Sequence, residues 1–110
     1  MNLPDVLNGN RVQKELDFEL LQTKFSKHRR LQVFAQKGTS CVRCGVEGVH
    51  LIASIDPGGG YHVDLFTADF TLMTIDHIVP RSKGGRSTLA NYQPMCQYCN
   101  SRKGNTMEEA

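Results

Sequence analysis

An α+β fold is what this sequence predicts, and three observations predict it. Apolar residues recur at Val12, Leu16, Leu20, Leu21 and Phe25, close to helical spacing over about four turns. From Val46 onward the texture becomes extended, with β-prone runs broken by Gly and Pro clusters. Four cysteines stand in two Cys-x-x-Cys pairs that bracket those runs, so a crosslink or a metal joins the helical part to the C-terminal end.

Taken in order, Asn8-Gly9-Asn10 is a turn cluster and Asn10 is placed to cap a helix starting at Arg11. His28 to Gln36 continues or restarts it, with Leu31, Phe34 and Ala35 inward and Gly38 as its stop. Val49, Leu51 and Ile55 predict one strand, Asp56-Pro57-Gly58-Gly59-Gly60 a turn, and Tyr61 to Phe66 a second strand. Phe70 to Val79 is the strongest strand segment, bounded by Pro80, which cannot donate to a ladder. Residues 80–91 read as a basic, turn-rich loop, Tyr92 to Met95 as a short return strand, and Gln97 to Thr106 as a closing helix. The glycines at 58–60 lack a following Lys-Ser/Thr, so they mark a turn and not a phosphate loop.

At 110 residues the chain has room for one core, read here as an N-terminal helical region (1–40) and a second unit (41–107). With 39% apolar and 22% charged residues it is an ordinary globular sequence. No apolar run reaches the ~18–20 residues that span a bilayer, and the first ten residues lack a basic, then apolar, export pattern. A cytoplasmic setting without membrane contact is expected. Net charge is only +2, but its distribution is uneven: residues 20–46 carry +6 and 77–107 carry +5, around an acidic stretch 47–76 of −5. Two basic blocks folded onto one face would hold a polyanion; solvated surface charge is the plainer alternative.

Cys41 and Cys44 form one pair, Cys96 and Cys99 the other, with 51 residues between. Two such pairs supply four thiolates, the donor set of a structural zinc (Zn2+). Disulfides suit exported chains, and a single redox motif needs no distant second pair. Zinc bound this way has no open position, so the catalytic centre belongs elsewhere. Structural zinc can contribute on the order of 10–16 kcal/mol in small peptides, so the fold would depend on it.

Between the pairs lies a set with the parts for phosphodiester hydrolysis. Histidine, with an ordinary pKa near ~6.5, is the side chain best able to take a proton from water at neutral pH, and His77 is placed for that role. Asp76 is a hard oxygen ligand for Mg2+ or Mn2+, and Asn100 offers a carbonyl oxygen to the same ion. Arg81, Lys83, Arg86, Arg102 and Lys103 can hold flanking phosphates. On a regular strand Asp76 and His77 point to opposite faces, so they share a site only if the strand ends, twists or bulges there. His28, His50 and His62 lack such surroundings and read as structural or exposed.

Asp76-His77-Ile78-Val79-Pro80, Gly84-Gly85, Leu89, Asn91, Cys96-Gln97-Tyr98-Cys99-Asn100 and Lys103-Gly104 together resemble the HNH endonucleases, specifically the small zinc-bearing kind found in bacteria and phages. The resemblance covers residues 41–104. It implies a ββα-metal finger (the His-Me finger) stapled by the four-cysteine zinc, with His77 as general base and Asp76 as ligand of the catalytic ion. It also implies that Asn91 ties the loop to the strand and orients His77, and that Asn100 is the second metal ligand. Asp stands where the family name has its first His, and Asn where it has its last. The implied activity is nicking or cutting of double-stranded DNA, leaving 5′-phosphate and 3′-hydroxyl ends, in a bacterial or phage-host cytoplasm. One active site cuts one strand, so a double-strand break takes two protomers or two events, with a homodimer or a partner protein as candidates for directing the cut. Two rivals keep the cysteines but not the chemistry: a non-catalytic zinc module that binds nucleic acid or protein, and a structural zinc domain of a larger assembly.

Overall fold

Turn chemistry sets the first sheet. Around Pro57-Gly58-Gly59 the Asp56 N–H donates to the Gly60 carbonyl and the Gly59 N–H to the Asp56 carbonyl, and the chain reverses. This folds β2 (Gly48–Ile55) antiparallel onto β3 (Tyr61–Thr67). The computed structural model, which describes residues 12–104, adds β1 (Val12–Leu16) on the other side of β2, giving the order β1-β2-β3. The expected turn at 8–10, its cap at Asn10, and Arg11 lie outside the described residues.

The helix expected to run from residue 11 through Phe25 is not formed by the described part of that segment. Val12–Leu16 pairs with β2 in the register Val12↔Ile55 to Leu16↔Leu51. Phe18–Leu21 is a 3-10 turn, capped by the Asp17 carboxylate accepting from the Glu19 N–H. The reason is an ambiguity of period: residues 12 and 16 share a face in a helix and also in a strand, where every second residue does. Tertiary pairing decides it. Gln13 Nε2 donates to Ser54 Oγ at 3.1 Å, and Glu15 Oε2 lies 2.6 Å from His50 Nδ1.

A helix does form further on. α1 (Leu31–Lys37) buries Leu31, Val33 and Phe34, and Gly38 ends it. Its last residue reaches across the fold, where Lys37 Nζ donates to the carbonyls of Leu89 and Tyr92. Arg30, just before α1, pairs with Asp64 at 2.8 Å and donates to the Val63 carbonyl, tying α1 to β3.

The second sheet is the hairpin β4 (Met73–His77) with β5 (Tyr92–Cys96), in the register Met73↔Cys96 to His77↔Tyr92. α2 (Gln97–Lys103) follows β5 directly. β4 is shorter than the expected 70–79 strand. Phe70 sits in a left-handed turn with φ 64°, and the strand stops at His77. The expected extension of α2 to Thr106 runs past the described residues.

Leu21, Leu31, Phe34, Leu51, Leu65, Met73 and Met95 close one core between the sheets and α1, and it runs into three of the cysteines. Side chains of the N-terminal segment thus share a core with those of the hairpin. No helix among the described residues is long and apolar enough to cross a membrane. Phe34 is fully buried at the centre. Phe34→Ala should cost about 3–5 kcal/mol in urea denaturation, the range for emptying a packed aromatic site.

Candidate active site and metal centre

The cysteine cluster is built from two tight turns. In the first, the Cys41 N–H donates to the Val46 carbonyl and the Gly45 N–H to the Cys41 carbonyl. Gly45 takes φ 81°, which a side chain would strain. The Val42 N–H donates to the Pro94 carbonyl and so lays this knuckle on β5, beside the second pair at the β5–α2 junction. All four Sγ atoms lie within 4.8 Å of one another, and Cys44 and Cys96 are 3.8 Å apart. A tetrahedral zinc with Zn–S bonds of ~2.3 Å has S···S edges of about 3.8 Å. The electrostatics agree. Burial and the neighbouring thiols push Cys99 up to about 12, and burial raises Cys96. Burial also opposes ionisation of Cys41, but N–H donors from Cys44, Cys96 and Arg43 outweigh it and lower the thiol to about 6. Four sulfurs packed this closely resist becoming thiolates together unless a dication joins them, and a zinc ion fits that donor set.

The turn into α2 that carries Cys96 and Cys99 also aims α2 at β4. Asn100 Nδ2 donates to Thr74 Oγ1 at 2.7 Å. One turn on, Lys103 Nζ lies 3.2 Å from Asp76 Oδ2 and donates to the His77 carbonyl at 3.1 Å. Thr74 and Asp76 share the face of β4 that α2 covers, as alternation requires. Asp76 is only 6% exposed, and Gln93, its cross-strand partner, donates to its Oδ2 at 2.9 Å. His77 ends the strand. Its Nε2 lies 3.1 Å from Ser87 Oγ, and its ring meets Tyr92 edge-on at 5.1 Å.

Asp76, His77, Arg81, Asn100 and Lys103 line one cleft of about 240 Å³. A carboxylate and an amide oxygen are hard donors of the kind Mg2+ or Mn2+ takes, with waters and a phosphate able to complete the shell. Asn100 spends its Nδ2 on Thr74, which leaves Oδ1 as the end of that side chain not hydrogen-bonded among the described residues. The donor set fits such an ion, which would share Asp76 with the Lys103 ammonium.

Asn91 sits outside the cleft and fastens its rim. Its Oδ1 accepts from the Val79 N–H at 2.9 Å, its Nδ2 donates to the carbonyls of Val79 and Arg86, and its own carbonyl accepts from the Ile78 N–H. The loop it closes is tight. A Cβ on Gly85 would stand 1.7 Å from the Val79 carbonyl oxygen, so a side chain there would push the loop off the end of β4.

The basic residues divide. Arg81 lines the cleft, while Lys83, Arg86 and Arg102 are exposed outside it. Lys103, expected on a phosphate, is instead 2% exposed and engaged with Asp76. Several contacts escaped sequence reasoning. Thr74 was findable, being two residues before Asp76 on the same strand face. Gln93, Ser87 and Lys37 were not, because cross-strand register and loop path bring them in.

A family model described as HNH endonuclease matches residues 41–106. No curated protein sequence and no solved structure matches the chain.

Elemental analysis of purified protein should find one zinc per chain. Cys99→Ala should lose it and lower the melting temperature sharply, because the core runs directly into the cluster.

Proposed function

Because the chain belongs to the HNH endonuclease family, we propose that it hydrolyses phosphodiester bonds in double-stranded DNA as an endonuclease or nickase. The observation that carries this reading is the convergence of Asp76, His77 and Asn100 on one cleft at the end of a strand whose following loop Asn91 locks in place.

In this reading β4, β5 and α2 are the two strands and helix of a ββα-metal finger. His77 takes a proton from water at Nδ1, its Nε2 being engaged with Ser87. The hydroxide so formed attacks phosphorus in line with the 3′ oxygen. The bond to that oxygen breaks, the departing 3′ oxygen takes a proton from solvent water, and the products carry a 5′ phosphate and a 3′ hydroxyl. A divalent ion bound by Asp76 and Asn100 would supply positive charge to the phosphate and the departing oxygen. Asn91 acts at a distance from the reacting atoms: it fixes the backbone at Val79 and so the direction from which His77 enters the cleft. Arg81 contributes charge at the cleft mouth, and Lys83, Arg86 and Arg102 extend it along the duplex. One such site cuts one strand, so nicked circles precede linear DNA unless a second protomer or a partner protein engages the other strand.

Zinc-loaded protein should nick supercoiled plasmid in Mg2+ or Mn2+. His77→Ala, prepared identically, should be slower by about 10²–10⁴-fold, the range for losing a general base. Equal cutting by both would remove His77 from the chemistry. DNA binding by both proteins without cutting in either metal would instead favour a non-catalytic zinc module.

A further inference from the structure

A second, larger cleft meets the first at Ile75 of β4. It encloses about 560 Å³, within the range of small-molecule sites, between residues 28–32 and the β4–β5 hairpin. We infer that it holds a nucleotide of the DNA strand, flanking the phosphate that is cut, with Arg29 on that nucleotide's phosphate. The inference rests on the nuclease reading for its substrate, but not for its geometry.

Chemistry defines the occupant. One wall presents His28, Arg29 and Gln32; the floor is Ile75, Leu89 and Tyr92; among the described residues no acidic side chain lines the cleft. An apolar, partly aromatic floor beneath a cationic rim suits a base and its phosphate. The two neighbouring arginines differ in how they are spent. Arg30 is held by Asp64 and the Val63 carbonyl. The Arg29 guanidinium is exposed and makes no ion pair among the described residues. The walls are already fixed, since Arg30 anchors one and Lys37 holds the Leu89 and Tyr92 carbonyls of the other. Ordering cost on binding is therefore small.

Position ties the cleft to the chemistry. Ser87 and Tyr92 line it, and these are the two residues that His77 touches through Nε2 and its ring edge. A strand lying in this cleft passes His77 on its way to Asp76 and Asn100. The segment before α1, which carries no family motif, thereby becomes part of the substrate path.

The test is fluorescence anisotropy of a labelled duplex with zinc-loaded protein and no added Mg2+ or Mn2+, read across about 50–200 mM NaCl. Arg29→Ala should weaken binding by about 5–10-fold and lower the salt slope by about one, the signature of one lost phosphate contact. Lys14→Ala, a charge removed from exposed β1, should stay within about twofold of the parent. An unchanged affinity and slope in Arg29→Ala, or an equal loss in Lys14→Ala, would overturn the assignment. So would thymidine monophosphate binding that depends on Arg29 when duplex binding does not, which would make the cleft a free-nucleotide site. Because no cutting is measured, failure of the nuclease reading leaves these outcomes intact.

Discussion

A seven-residue helix cannot hold its own shape or direction in water, because nucleation costs more than so few hydrogen bonds return. α2 depends on what grips its first turn, and that grip is the four-sulfur cluster. Cys96 precedes the helix and Cys99 lies in its first turn, while Cys41 and Cys44 approach from the knuckle after α1. With that end fixed, helical geometry places Asn100 over Thr74 and Lys103 over Asp76. The four-sulfur cluster thus lies outside the cleft and still shapes it. It sets the distance between the two elements that supply the cleft.

Asp76 is the second constraint. A carboxylate this buried must be paired, and Lys103 and Gln93 do so. Removing either partner leaves buried polar groups without their bonds, which makes Asp76 and Lys103 a coupled unit. The pairing keeps a positive charge on the carboxylate before any divalent ion arrives. A divalent ion entering the cleft would have to exchange with Lys103 at Asp76 or share the carboxylate with it.

The C-terminal half was the legible part of the chain. The two Cys-x-x-Cys pairs, the turn at 56–60 and the strand ending before Pro80 each have a local cause that can be read from residue types. Asn91 was expected only through the resemblance to an ordered motif, and the structure adds its hydrogen bonds to the backbone of Val79 and Arg86. Alternation holds through the end of β4, in unbroken register with β5: the Asp76 carboxylate turns to α2 and the His77 ring to Ser87 and Tyr92, and both residues border one cleft because the strand stops right after His77. The N-terminal part was not legible. Val12–Leu16 satisfies helix and strand periods alike, and only pairing with β2 decides between them. Lys103 was misjudged for a related reason, since burial of a lysine depends on a carboxylate that lies 27 positions earlier in the chain.

Paramagnetic broadening tests most directly whether α2, gripped at the cysteine cluster, and the end of β4 make one divalent-ion site. Substoichiometric Mn2+ added to isotope-labelled, zinc-loaded protein should broaden the NMR signals of Asp76, His77 and Asn100 first. Signals of β1, on the far edge of the first sheet, should stay sharp. Broadening centred elsewhere, or an identical pattern in an Asp76→Ala protein, would contradict the account.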